Sequence, residues 1–222
     1  MEPFSPQAVR SAYDTTADDY VPTFGNDLDR LPVDRAVLDV ALAAAQSSGW
    51  VLEAGCGPGP AARYLADRAP RIVGVDLSER MLRAGSANGL CPTLADLRRL
   101  PLRDGCCALV IAYYCLQHLH RDELPLGLAE LRRVLRHDGV LAIATHLGDG
   151  DVFVDELLGH RISTIGGALY RRGEILDALL GAGFSIEHEQ QRPPLPHEYD
   201  RQRIYLIARH RGSGVTASLP GA

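Results

Sequence analysis

The chain has no lysine: all 23 of its basic residues are arginine. That absence excludes a lysine Schiff base, a Gly-Lys phosphate loop and a tyrosine–lysine proton relay. No apolar run approaches the roughly 20 residues that a bilayer-spanning helix needs. The opening MEPFSPQAVR lacks the basic-then-apolar pattern of a secretion signal, so a cytoplasmic location is the default expectation. Cysteine is sparse. Cys56, Cys91, Cys106, Cys107 and Cys115 contain no Cys-x-x-Cys pair, and reduced thiols are expected. Cys106–Cys107 reads either as a redox pair or, more simply, as two small apolar residues entering a strand. His118 and His120, beside Asp122 and Glu123, form no recognised ligand pattern, and no metal is expected. A net charge of −5 without a dense basic tract argues against nucleic acid as the main partner, because neutralising phosphates takes clustered cations.

What is present is ordinary globular material: 222 residues, 46% of them apolar, enough for one domain with terminal decoration. Residues 5–20 carry Val9, Ala12, Tyr13, Thr16, Ala17 and Tyr20 at helical spacing. A second helix is expected over 31–45, with Pro32 in its first turn, Asp34 at the positive end of its dipole and a break at 47–49. Strands and helices then alternate. Strands are expected over 50–53, 71–75, 91–95, 107–112 and 140–145. Helices are expected over 60–68, 78–87 (Ser78 as N-cap) and 121–135. Unbroken apolar runs such as CALVIA (107–112) suit strands covered on both faces. The pattern implies an α/β fold, a doubly wound parallel sheet with helices on both sides. The last third differs. Residues 147–168 are glycine-rich and read as an insertion forming a lid or binding loop. A helix over 172–182 and strands over 184–189 and 204–209 follow, and 212–222 is expected to be disordered. The division expected is thus a helical cap (1–46), a main domain (47–211, with the lid at 147–170) and a tail.

VLEAGCGPGPAARYL (51–65) is a strand, a glycine turn and a helix. Such a turn lets backbone N–H groups approach a ligand without side-chain obstruction. Asp76, about 20 positions on at the end of the next strand, is placed to bind ribose hydroxyls. This much suits a dinucleotide or an adenosyl cofactor equally. Two details separate them. Pro60 stands where the dinucleotide fingerprint has its third glycine or alanine. Glu53, ending the first strand, would repel a pyrophosphate but suits a cationic ligand.

Five segments in order, LEAGCGPG (52–59), VGVDLSERML (73–82), ADLRRLPL (95–102), IAYYCLQHL (111–119) and ELRRVLRHDGVLAIATH (130–146), resemble a class I SAM-dependent methyltransferase of the small-molecule type. The likeness covers roughly residues 13–209, and YDTTADDY (13–20) with the C-terminal segment resembles an actinobacterial subgroup. The resemblance implies a Rossmann-like seven-stranded sheet whose last strand is antiparallel, an N-terminal helical cap, and S-adenosylmethionine as methyl donor, leaving S-adenosylhomocysteine. It implies that Glu53, Gly55, Cys56 and Gly57 line the methionine half of the cofactor, and that Asp76 binds the ribose. Leu77 and Met81 would pack near adenine, Asp96 would accept from its amino group, Leu97 would offer backbone contact, and Tyr113 would sit beside the sulfonium. Tyr13 and Tyr20 would close over the cofactor. Simpler readings stand beside these: Asp96 capping a turn, Met81 as core, and Tyr13 and Tyr20 sharing an apolar helix face.

His118, past the fourth strand at the ligand-binding edge of the sheet, is the first candidate for a base or orienting group, and His146 is the second. The simpler reading of each is a histidine that packs without a chemical role. The acceptor is expected to be a small molecule, an oxygen, nitrogen or carbon nucleophile of secondary metabolism by the subgroup likeness. No nucleic acid, no membrane and a homodimer are the partner expectations. A protein of the same fold that cyclises or binds without methylating, and a nicotinamide-dependent oxidoreductase, are the rivals.

Overall fold

Cys107–Tyr113 is buried at six of its seven positions, as an apolar run without alternation requires, and the molecule is organised around it. The computed structural model describes residues 1–45, 49–69, 71–85 and 90–211. Nine strands are described: β1 (Trp50–Ala54), β2 (Ile72–Asp76), β3 (Cys91–Leu94), β4 (Cys107–Tyr113), β5 (Leu135–Leu147), β6 (Asp151–Leu157), β7 (His160–Ala168), β8 (Phe184–Arg192) and β9 (Gln202–His210). Seven form one sheet in the order β3-β2-β1-β4-β5-β9-β8. β1 to β5 run parallel, and β9 is antiparallel to both its neighbours. That is the seven-stranded arrangement with a reversed last strand expected above.

The helices are α1 (Pro6–Phe24), α2 (Pro32–Ala44), α3 (Pro60–Leu65), α4 (Glu79–Gly85), α5 (Leu124–Val134) and α6 (Arg172–Gly181). Alternate residues of β4 serve opposite layers. Leu109 and Ile111 face Val37, Leu38 and Ala41 of α2 and Leu65 of α3. Val110 and Ala112 face Leu128 and Leu131 of α5 and Ile175 and Leu179 of α6. Residues 212–222, expected as a tail, lie outside the described residues, as do 46–48 and 86–87 of the expected helix boundaries.

The cap helix α1 starts where its sequence says it should. Ser5 Oγ accepts from Ala8 N at 3.3 Å, and Pro6 occupies the first turn. Its buried stripe of Ala8, Val9 and Ala12 packs on Ile165 of β7. Its other side is fastened to α4: Ser78 Oγ donates to Asp14 at 2.6 Å, and Arg80 pairs with Asp18. Ser78 Oγ also accepts from Met81 N at 3.1 Å, the N-cap expected of it.

Residues 147–168 are not a loop. β6 and β7 pair antiparallel as a hairpin that docks on α1. Its two turn residues, Leu158 (φ 52°) and Gly159 (φ 79°), both take the left-handed conformation of a type I′ turn. Leu-Gly is not the Asn-Gly or Asp-Gly pair that announces such a turn in a sequence. No helix among the described residues is long and apolar enough to cross a membrane.

Candidate active site

The carboxyl ends of β1, β2, β4 and β5 open into one cavity of about 640 Å³, lined also by α1 and by His197, Glu198 and Tyr199 of the loop before β9. All fourteen residues singled out from the sequence line it: Tyr13, Tyr20, Glu53, Gly55, Cys56, Gly57, Asp76, Leu77, Met81, Asp96, Leu97, Tyr113, His118 and His146. Their local geometry differs in instructive ways from the expectation.

The turn after β1 is held by two carboxylates. Asp76 Oδ2 accepts from Gly57 N at 2.8 Å, and Oδ1 accepts from Ser78 N at 2.8 Å. Asp76 therefore fixes the loop it faces, and its remaining lone pairs are free for hydroxyl groups. Burial raises its pKa, and the backbone donors oppose this. Glu53, 5% exposed, takes Ala61 N at 3.1 Å and Ala62 N at 2.8 Å, one on each oxygen. It caps the first turn of α3, where a carboxylate is favoured by the orphan N–H groups and the helix dipole. Burial nonetheless pushes it up to about 7. Glu53 is thus a helix cap that also borders the cavity.

The two glycines of the turn do different jobs. At Gly55 (φ +62°) a Cβ would stand 2.3 Å from Cys115 Cβ, so this glycine admits a close chain crossing. At Gly57 (φ +51°) a Cβ would meet nothing within 4 Å: it would project into open space on the cavity side. Gly57 thus leaves bare backbone on the cavity wall.

Asp96 follows β3. Its Oδ1 accepts from Arg98 N at 2.9 Å, the turn-capping role that stood as its simpler reading, and its Oδ2 pairs with Arg98 Nη2 at 2.5 Å. These bonds hold it below its usual range against the opposing effect of burial. Met81 is 1% exposed, core and cavity wall at once. Tyr13 and Tyr20 meet edge to face at 5.7 Å, and burial raises both phenols.

His118 has no nitrogen to spare. Gly166 O only accepts, so His118 Nδ1–H donates to it at 3.2 Å, and Nε2 then accepts from Tyr13 O–H at 2.8 Å. His118 therefore fastens α1 and the hairpin to the end of β4; as a general base it lacks a free lone pair. Burial lowers its pKa. His146 is the opposite case. Its Nδ1–H donates to Gln117 Oε1 at 3.0 Å, which leaves Nε2 as an open acceptor. Burial, and after it the nearby Arg203, lower its pKa to about 4.

Sequence reasoning missed the wall beyond His146. Asp34, fully buried, accepts from Tyr205 O–H at 2.8 Å, Tyr114 O–H at 3.0 Å and Arg192 Nη2 at 3.2 Å. Arg192 reaches Glu198 with both Nη1 and Nη2, and Glu198 stands 3.2 Å from Arg203 Nε. Tyr114, in the left-handed region at φ 54°, turns its ring to His146 at 5.1 Å. The available signal was parity: Arg203 and Tyr205 are alternate residues of β9, so the polar groups fall on one face. Among the described residues no group of three or more His, Cys, Asp or Glu is placed to hold a metal ion.

A methyltransferase domain model matches residues 52–143. A malonyl-[acyl-carrier protein] O-methyltransferase of Geobacter sulfurreducens is 33% identical over 201 residues, covering 83% of this chain and 74% of that one. The chain belongs to the SAM-dependent methyltransferases. Three further relatives with the same name are matched over only 44%, 57% and 37% of their length, so the chain spans about half of those curated relatives. Solved methyltransferases share the fold. The 1,6-didemethyltoxoflavin-N1-methyltransferase of Burkholderia thailandensis, with S-adenosylhomocysteine bound, has a TM-score of 0.62 at 20% identity and covers 88% and 87% of the two chains. The [4+2]-cyclase SpnF has a TM-score of 0.61 at 17% identity, with 80% of each chain covered; this methyltransferase fold therefore also occurs in a cyclase.

Proposed function

We propose that this chain transfers the methyl group of S-adenosylmethionine to an oxygen of a small acceptor bound between Tyr113, Gln117 and His146. The observation that carries the reading is the Asp76–Gly57 bond beside an open turn. It presents a carboxylate and bare backbone to an adenosyl ligand at the carboxyl edge where open α/β sheets bind ligands. Glu53, Gly55, Cys56 and Gly57 are assigned to the methionine half, Asp76 to the ribose, and Leu77, Met81, Asp96 and Leu97 to the adenine side. Tyr13 and Tyr20 are assigned to the roof. An oxygen acceptor is supported by the name of the Geobacter sulfurreducens relative, and the cytoplasm is the assigned compartment.

S-adenosylmethionine supplies a methyl group already activated on a sulfonium cation. The protein's task is to hold acceptor and methyl group in line, an effect of proximity and orientation. Tyr113 is fixed for this by its O–H, which donates to Asp34 O at 3.3 Å. The acceptor atom bonds to the methyl carbon, and the carbon–sulfur electron pair stays on sulfur. A proton carried by the acceptor passes to His146 Nε2 or to solvent. His118 is assigned the positioning of the roof, through Tyr13.

Calorimetry with S-adenosylmethionine, S-adenosylhomocysteine and NAD(P), followed by detection of S-adenosylhomocysteine formed with candidate acceptors, tests the reading. Binding of NAD(P) without the adenosyl ligands overturns it. Adenosyl binding without product from any acceptor pool favours a non-methylating role on the same fold.

A further inference from the structure

Three carboxylates, Glu53, Asp76 and Asp96, stand where β1, β2 and β3 end, and they are partnered differently. Glu53 is bonded by Ala61 N and Ala62 N, and Asp76 by Gly57 N and Ser78 N. Of the three, Asp96 is the one met by a guanidinium among the described residues, that of Arg98. We propose that Arg98 is a positioning residue that fixes the sense of base recognition: it leaves Asp96 one acceptor lone pair, and the site therefore takes a purine with a 6-amino group and refuses a 6-oxo one. The inference rests on the cofactor reading above and adds a residue and a selectivity to it.

Arg98 grips Asp96 side on. Its Nε donates to Oδ1 at 2.9 Å and its Nη2 to Oδ2 at 2.5 Å, and its backbone N–H donates to Oδ1 at 2.9 Å. A carboxylate offers about four acceptor positions, so those on Oδ1 are used and one remains on Oδ2. Nη1 donates to Glu123 at the start of α5, which anchors the guanidinium from its far side. The two side chains are mostly buried, Arg98 at 16% exposure and Asp96 at 27%, and both residues line the cavity. Water therefore screens this pair less than it screens an ion pair on the surface.

The three acids are also held in different charge states. Burial raises Glu53 to about 7 and raises Asp76 as well. Burial pushes Asp96 upward too, but the hydrogen bonds and charge of Arg98 hold it below its ordinary range. The groups assigned to each acid account for the difference. The methionine half brings its own ammonium to Glu53. A ribose hydroxyl donates or accepts, so Asp76 serves it in either state. An exocyclic amino group is uncharged and offers Asp96 only N–H donors. Protonated, Asp96 would become a donor itself and suit a 6-oxo group instead. Arg98 supplies the cation that adenine lacks.

The test titrates S-adenosylhomocysteine and S-inosylhomocysteine, its 6-oxo counterpart, calorimetrically into the chain at pH 8 and pH 5. We expect the wild type to favour the amino compound about 20-fold or more at both pH values, the scale of a lost hydrogen bond to a charged group. Besides Arg98, the charged groups toward Asp96 are Glu123 of α5 and Asp76 of β2, so removing the arginine leaves acids alone and eases protonation. In Arg98→Met the preference should fall to about fivefold at pH 8 and further at pH 5, and Arg98→Lys should keep much of it. An affinity loss equal for both ligands marks a merely structural arginine and overturns the proposal, as does a preference unchanged in Arg98→Met. If the Met variant does not fold, Arg98→Gln, which keeps a donor but not the charge, is judged by the same ratio at pH 5. No binding of S-adenosylhomocysteine to the wild type overturns the cofactor reading itself. Binding without a base preference overturns the role of Arg98 alone.

Discussion

The two ends of the sheet's carboxyl edge are built differently. Over β1 to β3 the site is local: Glu53, Gly57 and Asp76 lie within 24 positions of one another and bond mostly to backbone. Over β5 and β9 it is assembled from afar. Asp34 meets Arg192 from 158 positions away and Tyr205 from 171, and its bonds are between side chains. The local end can keep its geometry while the distant end changes, which is how one donor site comes to serve different acceptors.

The largest expected effect is at the distant end. Asp34→Ala strips a buried partner from Tyr114, Tyr205 and Arg192 and should cost about 3–5 kcal/mol. That corresponds to a fall in Tm of roughly 10 °C for a chain of this size, read by thermal denaturation. A change within a degree would mean that the network carries no stability.

Next comes the local end. Asp76→Ala should weaken S-adenosylmethionine about 100-fold by calorimetry, since charge-assisted bonds are worth about 1.5–3 kcal/mol each. Unchanged affinity would remove Asp76 from the cofactor site. The two glycines sharpen the contrast within the turn. Gly55→Ala should destabilise the fold, because its Cβ collides with Cys115. Gly57→Ala should cost only the left-handed strain of about 1 kcal/mol in Tm yet reduce cofactor affinity tenfold or more. Equal effects in both assays would contradict the division of labour.

The smallest effect is a pH dependence. Glu53's pKa is raised to about 7 in the fold, so its contribution to apo stability is full below the unfolded value near 4.5 and is lost as pH rises through 7. A cationic ligand favours the ionised form, so S-adenosylmethionine affinity should rise several-fold from pH 6 to 8. Glu53→Gln should flatten that rise; a profile that keeps its slope in the variant assigns it to another group.

Legibility in the sequence follows the same line. The strand–turn–helix at 51–65 and the acid at Asp76 were readable because neighbours in sequence make the contacts. The expected β4 and the Ser78 cap fell where the structure has them for the same reason. The hairpin of β6 and β7 is illegible in the sequence because its turn is Leu158–Gly159 and its glycines imitate a loop. Asp34 reads in the sequence only as complementing a helix dipole, since nothing near it along the chain reveals Tyr205. His118 illustrates the remaining gap. Its place at the edge of the sheet was legible, but the partners that occupy both its nitrogens come from α1 and β7, 105 and 48 positions away.

The central claim is that donor and acceptor occupy separate ends of one cavity, and a crystal structure with S-adenosylhomocysteine tests it most directly. The account predicts the ribose on Asp76, the adenine toward Met81 and Asp96, and the thioether beside Tyr113. The space bounded by His146 and Arg203 should stay open. An adenosyl group seated against His146 and Arg203, with Asp76 uncontacted, would contradict it.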